Sequence, residues 1–153
     1  MLKEMKKIVF VLTLLCGLVF TSCHNEPVQP KVSFSFTITD LGPNYVAMTA
    51  VPSDSLVYYC FEVYSAAYVD SIGSDSLLAV EDIEYIENMV QYLNEKWDLG
   101  TDFVNFIYQG TGDEEWGSLT PSTDYVAVAF CVDTATHTYY GDFSKFPFRT
   151  LDE

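Results

Sequence analysis

The chain has few positive charges. Its 153 residues include 7 Lys and Arg against 22 Asp and Glu, which gives a formal net charge of −15. A protein that binds a nucleic acid backbone needs a basic face to neutralise phosphates, and one that is attracted to anionic lipid headgroups needs clustered Lys or Arg. We therefore exclude nucleic acid as a partner and do not expect electrostatic attraction to a membrane surface.

Histidine is also scarce, since only His24 and His137 occur. Zinc sites take several histidine or cysteine ligands, and these two histidines offer no such pair. No Gly-x-Ser-x-Gly elbow is present, so His137, in a polar turn after Asp133, is expected to be solvated and outside any nucleophilic triad. The acidic run at 113–115 lacks the spacing of a calcium loop and is predicted to be a solvated loop. We predict no catalytic residue, cofactor or metal site, and therefore no enzyme.

The N-terminus has the pattern of an export signal. Three lysines within the first seven residues precede an apolar stretch, residues 8–20, that is too short to span a membrane comfortably. Small residues at 21 and 22 lead directly into Cys23, a pattern that resembles the lipobox of bacterial lipoproteins. The resemblance implies a signal peptide at 1–22, acyl chains such as palmitate on Cys23, and a lipidated tether at 23–31. Two or more acyl chains give stable anchoring, so we expect an outer-membrane lipoprotein of the cell envelope, on the cell surface or the periplasmic face.

The next part of the chain has patterns typical of antiparallel strands. Residues 32–38 alternate apolar and polar side chains, which predicts a half-buried strand, and a turn before 45–51 predicts a hairpin. The runs at 56–64 and 125–132 contain one charge and none, respectively. Such runs are typical of strands that are covered on both faces.

A helical pattern separates these two covered strands. Apolar residues recur at 3.6-residue spacing up to Trp97, which predicts an amphipathic helix with Trp97 in the core. We assign a helical insertion to about 75–109, with a short second helix within 102–108, for which a strand is the alternative. Because the covered strands need a lid on one face, we predict that the helices pack over the sheet that contains Tyr58 and Val128.

The corner before the last covered strand carries a family resemblance. Leu119, Pro121, Thr123 and Tyr125 are spaced as Leu-x-Pro-x-Thr-x-Tyr, which resembles the corner of fibronectin type III domains, where the Tyr points inward. Over about 32–150 the chain is similar to small fibronectin type III-like surface lipoproteins of Bacteroidetes-type bacteria. The resemblance implies a mostly β fold, a fibronectin type III or immunoglobulin-like β-sandwich with helices inserted between the third strand and the Leu119–Tyr125 corner. It also implies adhesive, scaffolding or glycan-related roles rather than catalysis.

Cys60 and Cys131 lie on strands that are predicted to be neighbours. Export makes a disulfide between them chemically allowed. If Tyr59 and Tyr125 both face the core, however, Cys60 points to the helices and Cys131 to the core, and the two side chains cannot meet. Two buried free thiols and a disulfide are kept as alternatives.

These patterns favour a membrane-anchored envelope lipoprotein that acts as a non-catalytic binding or assembly module, with a protein or a glycan as its ligand. A structural accessory subunit of a surface fibre, which would associate through an exposed strand edge, is the alternative. A small envelope hydrolase is a weaker third. Aromatic side chains are the candidate glycan contacts, and Trp116, which follows three acidic residues, is the one that we select as a ligand contact.

Overall fold

A computed structural model describes residues 31–153. The predicted signal peptide and the lipidation site Cys23 lie outside the described residues. In chain order, the elements are β1 (Phe34–Leu41), β2 (Val46–Pro52), β3 (Tyr58–Ser65), α1 (Ala66–Ile72), α2 (Asp75–Trp97), a 3-10 helix (Phe103–Phe106), β4 (Tyr108–Gln109), β5 (Gly112–Trp116), β6 (Asp124–Asp133) and β7 (Thr138–Arg149).

The strands form two antiparallel sheets. One has the order β1-β2-β5 and the other the order β4-β3-β6-β7. Met48 and Ala50 of the first sheet and Tyr59 and Phe61 of the second are buried in one cluster between them, because alternate residues of a strand point to the same face. The predicted mostly β sandwich with inserted helices is confirmed at this level.

The helices cover the outer face of the four-stranded sheet. A second buried cluster joins them to that face, and its members are Leu78, Ala79 and Ile83 of α2, Phe103 of the 3-10 helix, Cys60 of β3, and Val128, Phe130 and Val132 of β6. β6 is therefore buried on both faces, which explains why its run carries no charge. The predicted lid over the sheet of Tyr58 and Val128 is confirmed.

The helical segment begins earlier than predicted. α1 follows β3 directly at Ala66, where the Ser65 hydroxyl accepts a hydrogen bond from the Tyr68 amide at 3.3 Å, and it ends at Gly73 in the left-handed region (φ 68°). The predicted start of the insertion at residue 75 is therefore wrong. α1 spans 7 residues and has none that is fully buried, so it is too short and too exposed to show an apolar stripe.

The segment after α2 differs from prediction as well. The predicted second helix within 102–108 is a single 3-10 turn, Phe103–Phe106, that leads into β4. The acidic run at 113–115 is part of β5, which pairs with β2, and not a loop. Its carboxylates are exposed on an edge strand, where charges are tolerated because they block unwanted strand pairing. A loop was predicted because the charges outweighed the strand pattern.

α2 is buried only in its first half. Its fully buried residues are Leu78, Ala79 and Ile83, whereas Trp97 at its C-terminal end is 62% exposed. The prediction that Trp97 lies in the core is therefore wrong, because the apolar stripe continues past the part of the helix that packs on the sheet. None of the helices within residues 31–153 is long and apolar enough to cross a bilayer.

Tyr125 holds the corner before β6. Its hydroxyl accepts a hydrogen bond from the Thr120 amide at 2.9 Å, and its ring stacks on Phe148 of β7 with the centroids 5.8 Å apart. The Thr150 hydroxyl donates to the Thr120 carbonyl at 2.7 Å. This arrangement is a tyrosine corner, in which a tyrosine at the start of a strand bonds to the backbone a few residues upstream. Tyr125 is buried, as the resemblance of this corner implies.

Cys60 and Cys131 are both free and buried. Cys60 packs with the helices, whereas Cys131 lies with Val32 and Val57 on the sandwich side. The structure therefore has two free thiols, and not the alternative of a disulfide between Cys60 and Cys131. Burial raises the pKa of both thiols, that of Cys131 to about 11, so we expect both to be unreactive near neutral pH.

Candidate functional site

A cleft lies between the helices and the outer face of β3. Its volume is about 550 Å³, within the range of small-molecule sites in proteins. Three carboxylates line it together with several aromatic rings, and the residues that matter for its chemistry are Glu62, Tyr64, Tyr68, Glu81, Asp82, Tyr85 and Phe106. The cleft therefore combines negative charge with aromatic surface.

The path of the chain produces this cleft. β4 pairs only with Tyr58 and Tyr59, so in the part of the chain that the structure describes, the rest of that edge of β3 has no strand beside it. α1 leaves directly from the end of β3, and the left-handed Gly73 ends it so that α2 can follow. Alternate residues of β3 point to the helix side. These residues of β3 face one turn of α2 across the cleft. At the junction of β3 and α1, the centroids of the Tyr64 and Tyr68 rings lie 5.7 Å apart.

Each carboxylate of the cleft accepts a hydrogen bond from an aromatic side chain. The donor and acceptor pairs are Tyr64 with Asp82, Tyr68 with Glu81 (2.7 Å) and Trp116 with Glu62 (3.2 Å). The tyrosine donors lie on β3 and α1 and their acceptors lie on α2, so these two bonds also fix α2 relative to β3 and α1. Hydrogen bonds to charged acceptors are stronger than those between neutral groups.

Among the carboxyl groups of the cleft, Asp82 is the most perturbed. Its Oδ1 accepts the bond from the Tyr64 hydroxyl, whereas its Oδ2 is buried and has no hydrogen-bond partner. Burial raises the pKa of Asp82 to about 7, and the charges of Glu62 and Glu81 act in the same direction against the opposing effect of the Tyr64 bond. Burial also raises the pKa of Glu62. Asp82 is therefore about half protonated near neutral pH.

No basic side chain of the described residues lines the cleft. Three of the four lysines and arginines in residues 31–153 form ion pairs elsewhere, namely Lys31 with Asp142 (3.2 Å), Lys145 with Asp75, and Arg149 with Asp124 (2.9 Å). The electrostatic potential in the cleft is therefore negative. Two of its rings face solvent, since Tyr85 is 65% exposed and Tyr68 is 43% exposed.

Trp116, the ligand contact selected from the sequence, lies beside the cleft and does not line it. It is only partly exposed, and its ring packs edge-on against Phe61 with the centroids 4.8 Å apart. Its indole N–H reaches Glu62, so it supports one carboxylate of the cleft. A direct contact with ligand stays a prediction.

His137 is not the solvated turn residue that the sequence predicts. Its ring stacks on Phe103 with the centroids 4.1 Å apart, and its Nδ1 lies 2.8 Å from the Glu87 Oε1. It therefore joins the β6–β7 turn to the helices. The remaining sequence candidate, Cys23, lies outside the described residues.

Sequence reasoning missed the cleft, although one signal pointed to it. Glu62 is the lone charge in a strand that otherwise has the composition of a strand covered on both faces. A single carboxylate in such a strand must reach solvent or a partner, and its side chain lies on the helix side. Tyr68 and Asp82 gave no signal, because their proximity to Glu62 depends on how α1 and α2 are placed.

The described residues contain no group of three or more His, Cys, Asp or Glu side chains arranged to hold a metal ion. The carboxylates of the cleft are instead bound to aromatic donors. A comparison with models of known protein families found no match, and neither did a comparison with curated proteins. The function is therefore inferred from the side chains that line the cleft.

Proposed function

We propose that this protein is an outer-membrane lipoprotein that is anchored through acyl chains on Cys23 and holds a binding domain in the cell envelope. The export-signal pattern that ends at Cys23 supports the anchor. The net charge of −15 favours attachment through acyl chains over electrostatic attraction to lipid.

The binding domain, in this proposal, is a fibronectin type III-like sandwich with a helical insertion. Its support is the pair of antiparallel sheets, together with the corner at which Tyr125 accepts a hydrogen bond from the Thr120 amide. Sandwiches of this general class carry such a corner. The helices between β3 and β4 are the departure from the usual arrangement, and the cleft lies beside them.

The domain acts as a non-catalytic binding module, and its ligand, a protein or a glycan, enters the cleft. The observation that carries this proposal is the cleft of about 550 Å³, in which exposed tyrosine rings adjoin three carboxylates. A concave site that combines aromatic surface with a few converging polar groups is the usual form of a binding site.

Binding is better supported than hydrolysis. A raised carboxyl pKa beside further carboxylates is also a property of glycosidase sites, where one acid must reach the leaving group. Asp82 has the raised pKa, but its Oδ1 is bonded to Tyr64 and its Oδ2 is buried. Neither oxygen is presented to a substrate in this conformation.

Association through a strand edge, the structural alternative, has less support at three of the four edge strands, β5, β7 and β4; β1 is the fourth. β5 presents exposed carboxylates along its length, and β7 contains Pro147 near its end. Both features oppose the addition of a further strand. β4, at the other edge of the larger sheet, has only 2 residues.

Replacing Tyr85 by alanine should reduce ligand capture at least tenfold, because it removes the most exposed aromatic ring of the cleft. Capture is measured on a glycan array and by pull-down from envelope fractions. Tyr92→Ala is the matched control, since Tyr92 lies on the same helix, is 54% exposed and is not among the residues that line the cleft. Equal losses in both variants would argue against the cleft as the binding site.

Replacing Cys23 by alanine should move the protein from the membrane fraction to the soluble fraction. The change removes the sulfur that would carry the acyl chains, and no other lipid attachment is proposed. Cell fractionation followed by immunoblotting measures the shift, and Cys60→Ala is the control because Cys60 is buried in the domain. A Cys23→Ala protein that still sediments with membranes would rule out this anchor.

A further inference from the structure

We propose that the cleft recognises a protonated amine, the group that is carried by lysine side chains and by free polyamines. The inference rests on the proposed binding function, because it names the ligand chemistry for the same cleft. Glu62, Glu81 and Asp82 bring three carboxylates to one cavity. No lysine, arginine or histidine of residues 31–153 lines it.

Hydrogen bonding in the cleft favours a ligand that donates. Carboxylates only accept when they are ionised, and the Tyr64 and Tyr68 hydroxyls already donate to Asp82 and Glu81. A neutral sugar hydroxyl both donates and accepts, so it would find few free donors here. An alkylammonium group has three donors and no acceptor, which matches what the cleft offers.

The aromatic surface favours the same ligand. A cation is attracted to the face of an aromatic ring within about 6 Å, and Tyr68 and Tyr85 are both partly open to solvent at the cleft. The methylene chain of a lysine or polyamine can pack on Ile86 and Phe106, which also line the cleft. One ligand group thus uses both the charge and the apolar surface.

Asp82 contributes charge to this site and not a new contact, since its Oδ2 is buried. A bound cation stabilises the ionised carboxylate, so binding should strengthen as pH rises through about 7, the pKa of Asp82. The other groups around it are Cys60, Glu62 and Tyr64 from β3, Tyr68 from α1, and Glu81 and Tyr85 from α2. The pKa values of Cys60, Tyr64 and Tyr68 are all raised above their ordinary values, so these three stay neutral near pH 7.

The test titrates the full chain, purified in detergent, with Nα-acetyl-lysine methylamide and follows the NMR signals of the cleft, including the Ile86 methyl groups. We expect saturable shifts at the cleft. The same compound acetylated on Nε, which has no charge, should bind at least tenfold more weakly. A second titration with spermidine distinguishes a free polyamine from a lysine side chain as the source of the amine.

The variants make the assignment specific. Asp82→Asn should weaken binding about tenfold at pH 8 and remove the rise in affinity between pH 6 and pH 8, which is about fivefold in the wild type as Asp82 ionises. Glu81→Gln, which changes an exposed carboxylate, should also weaken binding. Glu84→Gln on the same helix removes one exposed charge outside the cleft and should leave binding unchanged.

Three outcomes would overturn the inference. The first is that the charged and acetylated compounds bind equally, and the second is that neither compound nor spermidine shifts the signals of the cleft. The third is that neutral oligosaccharides bind the cleft in preference to amines. In this third case the proposed binding function stands and only the ligand class is wrong, whereas absence of the Tyr85→Ala effect would remove the proposed function itself.

Discussion

Replacing Leu78 by alanine should lower the free energy of unfolding by about 3 kcal/mol, because the change leaves a cavity in a fully packed cluster. Leu78 is 1% exposed and belongs to the cluster that joins α2 to β3 and β6. The loss weakens the attachment of the helical cover to the outer face of the larger sheet. Urea denaturation followed by circular dichroism and tryptophan fluorescence measures the change.

The neighbouring residue provides the control for this experiment. Leu77 precedes Leu78 on α2 but is 55% exposed. Leu77→Ala therefore deletes the same side-chain atoms at an exposed position, and it should change the free energy of unfolding by no more than about 0.5 kcal/mol. Both variants also have the same helix propensity change. If the two substitutions lower the free energy of unfolding by the same amount, Leu78 does not pack against β3 and β6.

The sandwich and its helical cover could be predicted because each follows from a local pattern. The alternation that starts at Val32 sets the faces of β1, and the uncharged run of β6 requires cover on two sides. α1 could not be predicted, since a helix of 7 residues without a fully buried residue leaves no periodic signal. β5 could not be predicted either, because three consecutive acidic residues are typical of a loop. Backbone pairing with β2 nevertheless makes this segment a strand.

The candidate site could be predicted less well than the fold. The sequence drew attention to Trp116, and the structure places its indole N–H at Glu62, beside the cleft. Asp82 could not be recognised, because its raised pKa comes from burial and from Glu62 and Glu81, and only the packing of α2 against β3 brings these groups together. Burial of an ionisable group depends on tertiary structure and leaves no mark in a single sequence.

Replacing Asp82 by asparagine should make the protein more stable at pH 8 and leave its stability almost unchanged near pH 4. The pKa of Asp82 is about 7 in the folded protein, against 3.8 for a free side chain. Between these values the folded protein keeps a proton that the unfolded chain has released, so wild-type stability falls as pH rises through this window. Asparagine is never ionised and avoids that cost. Because the side chain is only partly shielded from water, we expect a gain of about 2 kcal/mol at pH 8.

Glu84→Gln is the matched control for this pH dependence, because it removes the same charge from an exposed position on the same helix. Its effect on the urea midpoint should be small at every pH, whereas the difference between Asp82→Asn and wild type should grow steadily from pH 4 to pH 7 and then level off. A constant difference would mean that Asp82 does not titrate in this range. A loss of stability in Asp82→Asn at pH 8 would mean that the ionised carboxylate is satisfied in the folded protein. Asp82 would then stay ionised near neutral pH, and the cleft would offer an amine the charges of Glu62, Glu81 and Asp82 with no change in affinity between pH 6 and pH 8.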